Sequence, residues 1–207
     1  MFADGPPGGF LVTIDGPNGA GKTSLAAAIA TGLEMRGGAV HATRQPSPTP
    51  LGEAVRAAEG DVKGRALACL VAGDRHHQAE TEIIPNLING STVICDRYIE
   101  SSLVLQRLDG VDLDYIVAIN AGIPRPGLRI RLLAQPETLS KRVAERPLAR
   151  ERRFERNTRP ERELQLYADA DKLLTEREQL PATIFDTTST DATHLGAVAA
   201  ELILSMR

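Results

Sequence analysis

Short apolar segments alternate along this chain with longer segments whose hydrophobic positions recur at helical spacing. The apolar runs predict strands at 10–14, 39–43, 92–95, 128–133 and 182–185. The longer segments predict helices at about 22–36, 62–89, 98–107, 111–121, 136–146, 160–179 and 191–206. Strands that alternate with helices are typical of βαβ units around a parallel sheet. The pattern therefore predicts an α/β fold.

The predicted elements follow one another without a long linker or an internal repeat, so residues 1–207 are expected to form a single domain. Three prolines within 45–50 predict a loop after the second strand. In open sheets of this kind, ligands bind beyond the carboxyl ends of the strands. The residues that follow each strand are therefore the candidates for function.

A glycine-rich segment follows the first strand. Residues 16–23 fit the pattern G-x-x-x-x-G-K-[ST], and a helical segment begins directly after them. A strand, a glycine-rich turn and a helix N-terminus form the context of a phosphate loop, whose backbone N–H groups bind phosphate oxygens. Lys22 is expected to reach the β- and γ-phosphates of a nucleoside triphosphate, and Thr23 to help hold Mg²⁺. The residues expected to contact the nucleotide are Gly16, Pro17, Asn18, Gly19, Ala20, Gly21, Lys22, Thr23 and Ser24.

Two arginines lie just after predicted strands, Arg44 after the second and Arg97 after the third. Because a guanidinium presents a bidentate fork to phosphate, we expect both to bind a second phosphate group. Asp96 ends the third strand and is expected to orient either the Mg²⁺ or Arg97. The alternative for each arginine taken alone is an ordinary surface ion pair.

Val71 and Arg75 lie four residues apart in a predicted helix and therefore share one face. This face is a candidate for binding the base of a phosphate acceptor, with Arg75 donating to a carbonyl oxygen. The alternative is a half-buried helix whose arginine is merely solvated.

The segment 141–162 contains eight arginines interleaved with four glutamates. One interpretation is a pair of solvated helices with ion pairs between residues four apart. The other is a flap that brings Arg150 or Arg153 onto a transferring phosphoryl group and excludes water. We favour the flap.

Composition narrows the possible partners. A formal net charge of −3 argues against a broad nucleic-acid interface or a basic membrane surface. Cys69 and Cys95 lie in apolar stretches, which is typical of a reduced, cytoplasmic protein. We expect no signal peptide, because the Gly/Pro-rich N-terminus lacks a basic segment followed by an apolar one. We expect no membrane span, because no apolar run approaches ~20 residues.

These motifs, in this order, resemble the thymidylate kinase family of P-loop nucleoside monophosphate kinases. The matching motifs are the phosphate loop, Thr43-Arg44-x-Pro46, Pro50-Leu51-Gly52-Glu53, Ala72-Gly73-Asp74-Arg75, Asp96-Arg97-Tyr98-x-x-Ser101-Ser102, Gln106 and Arg153-Phe154-Glu155. The resemblance implies a P-loop kinase fold, a five-stranded parallel sheet with helices on both faces. It also implies transfer of the γ-phosphoryl group of ATP to dTMP, a requirement for Mg²⁺, and a homodimer.

The resemblance assigns roles to single residues. Arg44 and Arg97 would hold the acceptor phosphate, and Arg75 would contact the base. Because Gly19 stands where another subtype has arginine, the catalytic arginine would come from a lid at about 146–160. The residues implied to bind the acceptor are Asn18, Arg44, Pro46, Val71, Arg75, Arg97, Tyr98, Ser101 and Gln106. Those implied in catalysis are Lys22, Arg97, Arg150 and Arg153, with Thr23 and Asp96 at the metal.

Four departures from the family pattern lie on the acceptor side. Val71 and Leu105 stand where the family usually has aromatic residues, Asn18 where it has an acid, and Gln45 where it has glutamate. They suggest a divergent paralogue with an acceptor other than dTMP. A kinase of a nucleoside or another metabolite stays open as an alternative, as do a nucleotide-dependent switch ATPase and a catalytically idle nucleotide-binding paralogue.

Overall fold

The computed structural model describes residues 1–145 and 159–207. The strands in this part of the chain are β1 (Phe2–Ala3), β2 (Phe10–Asp15), β3 (Val40–Arg44), β4 (Thr92–Asp96), β5 (Ile123–Pro124), β6 (Leu128–Leu133) and β7 (Ala182–Asp186). Five of them form one parallel sheet in the order β3-β4-β2-β6-β7. The other two, β1 and β5, form a separate parallel pair.

Helices connect successive strands, because neighbours that run in the same direction need a crossover connection. The helices are α1 (Lys22–Glu34), α2 (Pro50–Ala58), α3 (Gly64–Gln78), α4 (Ile84–Ile88), α5 (Ile99–Leu108), α6 (Leu113–Ile119), α7 (Pro136–Ala144), α8 (Pro160–Glu178) and α9 (Ala192–Met206). A π-helical turn, Ala79–Ile83, joins α3 to α4. Within 1–145 and 159–207, no helix has both the length and the hydrophobicity needed to cross a membrane.

Apolar side chains of the strands pack on both faces of the sheet. Leu11 and Val93 belong to a buried cluster with residues of α5 and α8, whereas Val12 and Ile94 belong to a second cluster with residues of α1 and α9. Successive side chains of a strand point to opposite faces, so a strand covered on both sides is largely apolar. The predicted five-stranded parallel sheet with helices on both faces is confirmed.

The register of the central strands sets the position of the loops that follow them. Ile14 of β2 is paired with Asp96 of β4, and the backbone N–H of Arg97 donates to the Ile14 carbonyl at 2.9 Å. The segments after β2 and β4 therefore leave the sheet side by side.

The helix predicted over 62–89 is divided in the structure. It consists of α3, the π-helical turn and the short α4, in which Pro85 is the second residue. Because Pro85 has no backbone N–H and its ring crowds the preceding turn, a regular α-helix does not continue through it.

Two further features were not predicted. Helix α2 starts directly after the proline-rich loop, where the Thr49 side chain accepts from the Gly52 N–H and Pro50 takes the first helical position. Strands β1 and β5 contain two residues each, which is too short to show a periodic pattern.

A buried charge network ties α5 and α8 to the sheet. Arg129 of β6 donates to Glu100 of α5 at 2.8 Å and to Asp171 of α8 at 3.1 Å. Glu100 is 1% exposed, and among the described residues its second oxygen has no hydrogen-bond partner. Burial outweighs the attraction of Arg129 and raises the pKa of Glu100 to about 7.

This pKa predicts how stability changes with pH. Since the pKa of Glu100 is raised in the folded state, the unfolded chain releases its proton first, and stability is lost as the pH rises from 4.5 to about 7. We expect Glu100→Gln, which resembles the protonated carboxyl, to lose less stability over this interval than the wild type in urea unfolding. Glu34→Gln at an exposed position is the control. Equal pH slopes for wild type and Glu100→Gln would contradict the assignment.

Candidate active site

The phosphate loop, residues 16–23, connects β2 to α1 and packs closely against β6. Gly16 has φ of 147°, and a Cβ there would lie 2.6 Å from the Leu132 carbonyl oxygen. Glycine is the residue that combines this backbone conformation with so close an approach. Gly21 adopts the left-handed conformation directly before the first residue of α1, so the N–H groups of that helix start at the loop.

Lys22 is folded back over the loop. Its ammonium donates to the carbonyl oxygens of Gly16 and Pro17, both at 2.8 Å, and its side chain is buried. Burial, followed by repulsion from Arg97, lowers the pKa of Lys22 to about 7. A positive group thus lies inside the curve of the loop, where an anion would complete its coordination.

Thr23 connects the loop to the end of β4. Its hydroxyl donates to one oxygen of Asp96 at 2.6 Å. The other oxygen, Oδ1, is buried and has no hydrogen-bond partner among residues 1–145 and 159–207. Since burying an unpaired carboxylate oxygen is costly, this atom is available to a cation or a water molecule.

Arg97 bridges the phosphate loop and α5. It has φ of 74°, a left-handed conformation that is uncommon for a residue with a side chain. Its guanidinium donates to Asn18 Oδ1 at 2.7 Å and to Ser101 Oγ at 3.2 Å. Backbone strain of this kind persists where the surrounding structure determines it, and it clusters at functional sites.

Asp15 holds the start of α5 in place. One of its oxygens accepts from the N–H groups of Tyr98 and Ser101 at 3.1 and 3.0 Å, and from the Ser101 hydroxyl at 2.6 Å. The hydroxyl of Tyr167, on α8, lies 3.2 Å from the same Ser101 oxygen. The partners of Arg97 are therefore themselves held in place by hydrogen bonds.

A pocket of about 530 Å³, partly open to solvent, adjoins the loop at Asn18 and Arg97. Every residue predicted to bind the acceptor lines this pocket except Arg44, which is exposed at the end of β3. Leu67, Val71 and Leu105 give the pocket an aliphatic lining.

Arg75 lines the pocket and is almost fully buried. It is 2% exposed, and its guanidinium donates to Gln45 Oε1 at 2.8 Å, to Ser102 Oγ at 2.7 Å and to Asn120 Oδ1. Burial lowers the pKa of Arg75. The interpretation of Arg75 as a merely solvated residue is wrong, because neutral acceptors surround it inside the protein.

The sequence did not reveal the part that α8 plays in the site. The Asn18 N–H donates to the Glu163 carboxylate at 3.2 Å, and Tyr167, four residues later, reaches Ser101. Their spacing on one helical face was the available signal, but their partners lie far away in sequence.

Arg142, in α7, also went unpredicted. It donates to the Thr187 carbonyl at 2.7 Å and lies 3.5 Å from the Gly19 carbonyl. Arg150 and Arg153, and most of the predicted lid at about 146–160, lie outside the described residues.

Gly16 provides a test of the loop geometry. We expect Gly16→Ala to lower the free energy of unfolding by about 2 kcal/mol or more, because strain and a backbone clash add together. Gly37→Ala is the matched control, since Gly37 has φ of 78° but no atom lies within 4 Å of the position its Cβ would take. Urea unfolding measures both, and equal losses for the two variants would argue against close packing of the loop on β6.

Comparisons with known proteins agree with this geometry. A family model described as "Thymidylate kinase" matches residues 14–184. A thymidylate kinase of Xanthomonas oryzae pv. oryzae is 39% identical over 142 residues, which are 68% of this chain and 63% of that protein. One from Xanthomonas euvesicatoria pv. vesicatoria is similar to the same extent. The chain thus spans less than two thirds of the length of the curated relatives it matches.

The fold also has a counterpart of known structure. The thymidylate kinase of Candida albicans superposes with a TM-score of 0.76 over 95% of this chain and 92% of its own, at 20% identity. The likeness extends over the whole sheet and its helices, as expected for a shared fold. Since the family model covers the phosphate loop, the pocket and most of the sheet, this chain belongs to the thymidylate kinase family.

Proposed function

We propose that this protein transfers the γ-phosphoryl group of ATP to the phosphate of a nucleoside monophosphate, dTMP or a close analogue. One observation carries the proposal. The pocket opens directly onto the phosphate loop, and Asn18 of the loop contacts Arg97 of the pocket at 2.7 Å. A donor phosphate on the loop and an acceptor phosphate in the pocket would meet at this boundary.

On the donor side, the backbone of the loop would bind the phosphates of ATP, and Lys22 would exchange its two carbonyl partners for phosphate oxygens. Thr23 and Asp96 would hold Mg²⁺, and the unpartnered Asp96 Oδ1 fits this role. When bound, the ion neutralises charge on the phosphates. One hydroxyl and one carboxylate suffice, because Mg²⁺ keeps several waters and shares the phosphate oxygens.

On the acceptor side, Arg97 would hold the acceptor phosphate in line with the donor, together with Arg44 from the end of β3. Arg75, which lines the pocket, would contact the base. No strong general base is needed, because the acceptor phosphate is already anionic. An arginine of the lid, Arg150 or Arg153, would complete the charge neutralisation.

The family resemblance extends the proposal to the assembly. A single kinase domain over 1–207 would form a homodimer and act in the cytoplasm. Light scattering of the purified protein measures its oligomeric state directly.

The activity is tested by ADP release in the presence of Mg²⁺ and ATP, with a panel of nucleoside monophosphates and nucleosides. We expect strong stimulation by a monophosphate, with dTMP leading the panel. Lys22→Met should lower turnover by a factor of about 10² or more, because the charge on the transferring group loses its partner. Lys172→Met, at a side chain 75% exposed, is the control. ADP release without any acceptor would favour a switch ATPase instead.

The aliphatic lining of the pocket favours a second candidate, a kinase of the same fold with another acceptor. Val71 and Leu105 offer no aromatic face to a base. Stacking on an aromatic ring is worth ~1–3 kcal/mol per base in single-strand binding, and aliphatic side chains do not reproduce it. Stimulation by a nucleoside or by a monophosphate other than dTMP would identify this second candidate.

Val71 therefore offers a direct test of acceptor preference. If dTMP is an acceptor, Val71→Phe should lower its KM by a factor of about 5 to 100, since the ring supplies a stacking surface. The KM for ATP should not change, which serves as the internal control. An unchanged or raised KM for dTMP would show that the pocket takes its acceptor in another orientation.

A further inference from the structure

Four side chains form a continuous row of hydrogen bonds leading away from the pocket. The Arg75 Nε–H donates to Gln45 Oε1 at 2.8 Å, and the Gln45 amide donates to Gln78 Oε1 at 3.1 Å. The Gln78 amide donates in turn to Glu82 Oε2 at 2.8 Å. Gln45 and Gln78 are buried, with 6% and 0% of their surface exposed. We call these four residues the amide row.

The two end residues, Arg75 and Glu82, determine the direction in which hydrogen bonds are donated along the row. Arg75 can only donate, and an ionised Glu82 can only accept. Each residue between them must therefore accept on the side of Arg75 and donate on the side of Glu82. An amide does both, whereas a carboxylate does not.

Glu82, at the outer end of the row, is held in place by further contacts. Glu82 lies in the π-helical turn and contacts His41 Nε2 at 2.8 Å through its other oxygen. Partial burial opposes ionisation, but hydrogen bonds with His41, Thr43 and Gln78 lower the pKa of Glu82. The Gln78 amide is also within hydrogen-bond distance of the Thr43 hydroxyl and the Arg44 carbonyl, at 2.9 and 3.1 Å. If the Gln78 amide were rotated by half a turn, its oxygen would face the Glu82 carboxylate oxygen, and the two acceptors would repel each other.

We propose that Gln45 and Gln78 are positioning residues for acceptor selection, because the amide row holds the Arg75 guanidinium in the wall of the pocket. Four of the five N–H groups of Arg75 have protein partners: Gln45, Asn120, Ser102 and the Tyr98 carbonyl. The fifth, on Nη1, has no partner among residues 1–145 and 159–207, and in the proposed function it would donate to the acceptor. The inference rests on the proposed function, since it assigns the base of the acceptor to Arg75.

The amide row also accounts for Gln45 in place of the family's usual glutamate. A carboxylate at position 45 would form an ion pair with Arg75. It would have no N–H or O–H to donate to Gln78 Oε1, so two acceptors would face each other. Gln78 cannot turn its amide without opposing Glu82. The hydrogen bonds of Gln78 and Glu82 thus require glutamine at position 45.

The inference is tested by comparing wild type with Gln78→Met, a variant of similar size that cannot hydrogen-bond in the row. We expect the KM for dTMP to rise about tenfold, the loss of roughly one hydrogen bond to a charged group, while the KM for ATP stays within twofold. The preference for dTMP over dCMP, as a ratio of kcat/KM values, should fall by a similar factor. A merely structural defect would lower kcat/KM for both acceptors alike. Gln165→Met, at an exposed position on α8, is the matched control.

A second pair of variants covers the case in which Gln78→Met does not fold. Gln45→Met and Gln45→Leu, which cannot hydrogen-bond in the row, should show the same loss of preference. Where Gln78→Met folds, combining it with Gln45→Met should cost no more than the larger single effect, because both interrupt one row. Unchanged preference in every folded variant would overturn the inference while leaving the proposed function intact. A wild-type protein that phosphorylates no monophosphate would overturn both.

Discussion

Hydrogen bonding between β2 and β4 is the constraint on which the site depends. With Ile14 paired to Asp96, the strands end together, and the phosphate loop leaves one as Arg97 leaves the other. Because side chains alternate along a strand, a slip of one residue would turn Asp96 to the opposite face, away from Thr23. The backbone bond from Arg97 to Ile14 extends the ladder by one residue, and the chain leaves the sheet at Arg97, whose backbone is left-handed.

Helix α8 supplies further side chains to the site that the strand ends form. It presents Glu163 to the backbone of the phosphate loop and Tyr167 to Ser101, which also contacts Arg97. One turn further along, Asp171 accepts from Arg129 in the sheet. These contacts, made on three successive turns of one helix, fix both its rotation about its axis and its position along that axis. The contact with Arg129 therefore helps to place the side chains that α8 supplies to the site.

The features that could be predicted from the sequence are those that depend on residues close together in it. The phosphate loop is encoded in eight consecutive residues, and Arg75 and Val71 follow from spacing in one helix. Gln78 and Glu82 lie four residues apart in the predicted helix, so their spacing was visible. The partners of Gln78 across the fold, Gln45 and Thr43, lie far away in sequence and were not. The exposure of Arg44 was equally hidden. Both arginines were predicted to follow strands, but Arg44 is the last residue of β3, whereas Arg97 follows β4 and contacts the phosphate loop and α5.

The departures from the family pattern fall into two physical classes. Gln45 and Asn18 place amide oxygens on guanidinium groups, so Arg75 and Arg97 are oriented without an ion pair in the described part of the chain. Arg97 consequently keeps its charge close to Lys22, and this repulsion is one reason why the pKa of Lys22 is low. Burial is the larger cause of this lowering, and the nearby carboxylates of Asp96, Glu163 and Asp15 oppose it. Val71 and Leu105, the second class, give the pocket aliphatic side chains. Under the proposed function, Arg97 would serve any acceptor phosphate, whereas the aliphatic lining and Arg75, held by the amide row, would together select the base that the acceptor carries.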